Sequence, residues 1–114
     1  MKLSDKDFYT LFGAALEAAD YDTYIAEWSA SSLFYPDPDA EGPGFDDVVD
    51  TLDKTWNAAH ISIKEIRAHT GLSQAAFAQR FCIPRRTIED WEAGRRTPPD
   101  YVRLLLAESP RIAT

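Results

Sequence analysis

Two adjacent arginines, Arg85 and Arg86, follow Pro84 and open a short run that ends at Gly94. Proline suits the first position of a helix, where its missing N–H is no loss, and glycine ends a helix by taking positive φ. The run therefore reads as a helix with both arginines in its first turn. Cations there face the positive end of the helix dipole, and Glu89, Asp90 and Glu92 face the negative end, each at a cost of about 0.3–1 kcal/mol when unscreened. Charges set against their own helix point to a use outside it. Guanidinium groups pushed forward from a helix N-terminus suit base edges and phosphates in a major groove. Asp90, one turn after Arg86, is expected on the same face, accepting from cytosine or holding the arginine in place.

The preceding residues are those needed to position such a helix. Ser73 is placed to cap a helix starting at Gln74, and Phe77, Ala78 and Phe81 form its apolar stripe. Cys82 and Ile83 make the turn, with Cys82 expected as a small buried residue, and Ile88 and Trp91 give the second helix its inner side. Ser73 and the amides behind it offer a phosphate site at a helix N-terminus. Arg95, Arg96 and Thr97, just past Gly94, are candidates for phosphate contacts that position without specifying.

Taken together, Leu72-Ser73-Gln74, Phe77-Ala78, Ile83, Ile88 and Trp91-Glu92-Ala93-Gly94, followed by Arg95-Arg96-Thr97-Pro98, resemble the helix-turn-helix of the phage repressor and Cro-type (XRE-like) family. The resemblance covers roughly residues 63–107. Cys82 stands where the family usually has Gly, and Pro84 where Ser or Thr is usual. The resemblance implies a recognition helix over about residues 84–93, whose second and third residues, Arg85 and Arg86, point into the major groove. It also implies that Gln74 reaches a phosphate or braces that helix, that Thr87 is a phosphate or positioning contact to DNA, and that Arg67 and Glu92 form a scaffold ion pair. A sequence-specific DNA-binding regulator, of repressor or antitoxin type, is the function it implies. Such proteins bind double-stranded DNA as homodimers on near-palindromic operators.

Charge divides the 114-residue chain. Residues 1–59 hold 3 lysines against 13 acids, and residues 60–114 hold 9 basic residues against 6 acids, which together give the net −7. A local basic surface matters more to a phosphate backbone than the whole-chain average. The expected architecture is all-α: a helix-turn-helix domain of about four helices over residues 60–114, behind an acidic helical extension over residues 1–59. In that extension helices are expected over about 4–21, 22–33 and 46–59. Ser4 and Asp22 serve as caps, and the proline- and glycine-rich stretch 35–44 forms a loop or hinge. Phe8, Leu11, Phe12 and Leu16 fall on one apolar stripe, expected to serve a dimer contact or to receive a partner such as a toxin. The alternative function is a protein–protein interaction module whose acidic half masks the basic face or binds a toxin. In the second domain Ser62 to Glu65 is a capping box, and the last helix is expected over about 99–108, ended by Pro110.

Several chemistries are disfavoured. Asp37, Asp39, Glu41 and Gly42 imitate a calcium loop, but its twelfth position is Val48. His60, His69 and Cys82 lack zinc-ligand spacing, and no nucleophile and base fall together, so neither metal, cofactor nor catalysis is expected. The absence of a long apolar run and the single cysteine fit a cytoplasmic protein without a membrane segment.

Overall fold

The computed structural model describes residues 3–113, with side chains as far as Glu108. Seven helices and no strand occur among them, and they fall into two units, residues 1–60 and 61–114.

The first unit contains α1 (Asp5–Glu17), α2 (Tyr21–Trp28) and α3 (Phe45–His60). Ser4 caps α1 by accepting from the Asp7 amide at 3.2 Å. The helix ends four residues before the expected Tyr21. Asp20, rather than Asp22, caps α2, with its carboxylate accepting from the Thr23 amide at 2.8 Å. A capping residue needs extended backbone, so the chain leaves helical geometry at Ala18. The second helix also stops early, at Trp28 instead of Leu33. Ser31 explains this: its hydroxyl accepts from the Leu33 amide at 3.1 Å and its carbonyl accepts from Phe34 at 3.0 Å, so the serine supports a turn in place of a helix.

The α1 helix packs on α3, and α2 packs on both. Phe8, Leu11, Phe12 and Ala15 are buried, with Tyr24, Phe34, Val48 and Leu52 also in the interior. The stripe expected to supply a dimer contact is thus used within the chain's own unit; of its four residues only Leu16 is partly exposed. Tyr24 brings a hydroxyl into this core and donates to the Leu11 carbonyl at 3.2 Å, while burial pushes its phenol well above the ordinary range. The 35–44 stretch has a fixed element: Tyr35 donates to the Pro43 carbonyl at 3.1 Å, and its ring lies where a Gly42 Cβ would come within 2.5 Å of it.

The second unit contains α4 (Ile63–Thr70), α5 (Gln74–Arg80), α6 (Arg85–Glu92) and α7 (Asp100–Ala113). Ser62 caps α4, accepting from the Glu65 amide at 3.1 Å, and Gly71 closes it at φ 72°. Ile63, Ile66, Phe77, Ala78, Ile88 and Leu106 form the buried core, with Leu72, Ile83, Trp91 and Val102 packed against it. The α7 helix runs past Pro110, which was expected to end it. Its apolar positions divide between faces: Leu106 is buried, whereas Tyr101 and Leu105, one turn apart, are exposed.

Candidate nucleic-acid interface

The C-terminal end of the α6 helix is tied to the rest of its unit by an ion pair. Arg67 of α4 meets Glu92 at the end of α6 through two bonds, Nε to Oε2 and Nη2 to Oε1, both 3.0 Å. Its remaining terminal nitrogen donates to the Leu72 carbonyl at 3.1 Å, just before α5. One guanidinium therefore ties together α4, the entry to α5 and the exit of α6. Bidentate geometry fixes orientation as well as distance. The Arg67 hydrogen bonds hold the Glu92 carboxyl below its usual range, and a bond from the Gln74 side chain lowers it further. The same contact raises the Arg67 guanidinium. Gln74 thus sits on the side of the unit that braces α6.

The turn between α5 and α6 is set by a left-handed residue. Cys82 has φ 55°, and its amide bonds to the Gln79 carbonyl at 3.3 Å while the Ile83 amide bonds to the Ala78 carbonyl at 2.9 Å. These two bonds define a Schellman ending, whose left-handed position glycine normally occupies. The side chain at such a position points out of the turn, and Cys82 is exposed rather than buried as its type suggested.

Pro84 is not the first helical residue but the N-cap, with ψ 135°. Its carbonyl accepts from Thr87 at 2.9 Å and Ile88 at 3.3 Å, yet it has no side-chain acceptor for the first amides of α6. Arg85 and Arg86 are consequently the first and second residues of the helix. Both are exposed, and Arg85 forms an i, i+4 pair with Glu89 at 3.3 Å. The partners are thus not those expected, since Asp90 does not serve Arg86.

Asp90 is buried, and its carboxylate accepts from Arg95 Nε at 2.8 Å. Its carboxylate is thus engaged by Arg95 with 12% of its side chain exposed, whereas the sequence placed it beside Arg86 to accept from a base or hold that arginine. The Gly94 ending turns the chain back along α6 and brings residue 95 beside residue 90, a contact that the helical period of α6 does not include. Arg96 and Thr97 are exposed beyond the turn, Thr87 is half-buried, and Ser73 caps α5 by accepting from the Ala76 amide at 3.1 Å. No group of three or more potential metal ligands is assembled among the described residues, and no described helix is long and apolar enough to cross a membrane.

Two short helices at a fixed turn, the second with exposed cations at its tip, define a helix-turn-helix domain. Residues 63–108 match the family model described as Helix-turn-helix, over the same stretch in which the motif resembles the repressor and Cro-type family. That family is one of DNA-binding regulators and not of enzymes. Neither a curated relative nor a solved structure matches the chain.

Proposed function

We propose that the protein is a sequence-specific DNA-binding transcriptional regulator, of repressor or antitoxin type, that lays α6 in a major groove and binds a near-palindromic operator as a homodimer. The observation that carries this reading is the tip of α6. Arg85 and Arg86 stand exposed in a first turn that lacks a side-chain cap, on a helix locked from behind by Arg67 and Glu92. Their guanidinium groups are suited to donate in pairs to guanine edges, and Arg95, Arg96, Thr97 and the Ser73 end of α5 to contact phosphates.

Selecting a site from random duplexes and then measuring Arg85→Ala with Arg86→Ala on it tests the reading. Each bidentate base contact accounts for about 1–3 kcal/mol of discrimination, so the double variant should lose at least about thirtyfold in specific affinity. Binding as tight as wild type would remove these two residues as readers.

A second reading is favoured by the net −10 of residues 1–59. An acidic unit with its own core suits a basic protein partner such as a toxin, and the chain would then be an interaction module that retains the helix-turn-helix fold. Failure of the full chain to enrich any duplex, with capture of a basic partner, would favour it.

A further inference from the structure

We propose that Asp90 is a positioning residue for DNA binding: it holds Arg95 alongside α6 so that the arginine's two terminal nitrogens meet a backbone phosphate. This rests on the DNA-binding reading above. At about 100° per residue, Asp90 lies roughly 200° around the helix from Ile88, the core residue, on the side where solvent would ordinarily be met. It is nevertheless only 9% exposed. What covers it is the chain returning after Gly94, whose φ of 77° turns the backbone. The Arg95 and Arg96 amides both bond to the Asp90 carbonyl, at 2.9 and 3.3 Å, and Arg95 Nε bonds to its carboxylate at 2.8 Å.

One residue thus accepts from the basic segment with both its backbone and its side chain. The arginine remains 62% exposed, against 12% for the aspartate side chain. Nε is engaged, and no hydrogen bond engages the two Nη groups among the described residues. A guanidinium gripped at Nε and open at Nη is pre-oriented for a bidentate phosphate contact, with less side-chain entropy left to lose on binding. An aspartate beside DNA would otherwise only repel it. Paired in this way, its charge is offset by the residue it directs.

The test compares the full chain with Asp90→Ala, Asp90→Asn, Arg95→Ala and the Asp90→Ala/Arg95→Ala double variant, by the slope of log K against log salt on one selected duplex. A single phosphate contact contributes about one to that slope, so Arg95→Ala and Asp90→Ala should each flatten it by roughly one and weaken binding about tenfold at 0.1 M salt. The double variant should be no worse than Arg95→Ala alone. Asp90→Asn keeps an oxygen to accept from Nε and should stay close to the wild-type slope. Preference among point-mutated operators should not move in any variant.

A steeper slope in both Asp90 variants would mean that only the loss of negative charge matters, and would overturn the proposal. So would an unchanged slope in Arg95→Ala, which decides the matter even if Asp90→Ala fails to fold. A changed base preference in either Asp90 variant would make Asp90 a base contact instead. Failure of the wild type to bind any duplex would remove the DNA-binding reading itself, and this inference with it.

Discussion

At the C-terminal end of α6, Glu92 is gripped by two bonds from Arg67, Asp90 holds Arg95, and Gly94 supplies the left-handed residue that the closing turn requires. At its N-terminal end the cap is a proline with no side-chain acceptor, and two exposed arginines face the positive end of the dipole. Both ends hold charges that the dipole disfavours. At the C-terminal end protein partners offset them; at the N-terminal end Arg85 has only an exposed contact to Glu89, and Arg86 has no ion-pair partner among the described residues. The difference separates anchoring from presentation. A helix that must offer cations at one tip can do so only if the other tip is fixed.

The largest test of the comparison is to release the fixed end. Glu92→Ala leaves the Arg67 guanidinium without its carboxylate, with the arginine side chain 20% and the glutamate 6% exposed in the intact pair. Breaking a buried pair by removing one partner costs about 3–5 kcal/mol, and the partly exposed arginine favours the lower figure. Denaturant unfolding should show a loss of roughly 3 kcal/mol, and a loss under about 1 kcal/mol would mean that α6 is held mainly by Ile88 and Trp91. A pH dependence accompanies it. Because the folded carboxyl lies below its ordinary 4.5, its contribution is present above about that pH and is lost as pH falls through the lower folded value. Glu92→Gln should therefore flatten the acid limb of stability below that pH, while leaving the neutral-to-alkaline limb in place.

Next in size is the closing turn. Gly94 has φ 77°, and nothing lies within 4 Å of where its Cβ would be. The cost of Gly94→Ala is then conformational alone, roughly 1 kcal/mol for a left-handed residue. A larger loss would show that the turn is coupled to the Asp90–Arg95 contact. The same turn recurs after α5 with the opposite residue choice, since Cys82 occupies φ 55° with the equivalent pair of hydrogen bonds. Cys82→Gly should therefore stabilise slightly, by up to about 0.5–1 kcal/mol after the added flexibility of the unfolded chain is subtracted. Destabilisation would mean that the thiol makes a contact which offsets its strain.

Much of this was legible in the residues themselves. Ser62, Ser73 and Gly94 mark helix ends through their own side chain or lack of one, and Arg67 with Glu92 emerged as a pair through the family resemblance. What could not be read came from competition between neighbours. Asp20 and Asp22 are both competent caps two residues apart, and the helical period does not choose between them; it is Asp20 that caps α2. Asp90 appeared outward-facing by helical period alone, because a periodicity argument about α6 does not include the segment that folds back over it. Phe8, Leu11 and Phe12 showed that their helix needed a partner, but not that α3 of the same unit would supply it.

The smallest effect lies at the presented end, and its sign is what matters. Arg86 is exposed in the first turn of α6, so Arg86→Ala removes a charge that the dipole disfavours and should raise stability by about 0.3–1 kcal/mol at low salt. Arg85→Ala removes the same repulsion but also the exposed pair with Glu89, worth about 0.3–0.5 kcal/mol, and should be close to neutral. Both changes should shrink as salt rises. If thermal unfolding at low ionic strength showed Arg86→Ala to be destabilising, the arginine would be serving the fold, and its placement at the tip of α6 would no longer argue for a duplex. A small gain in stability together with a large loss of specific binding is the combination that a residue kept for recognition alone must give.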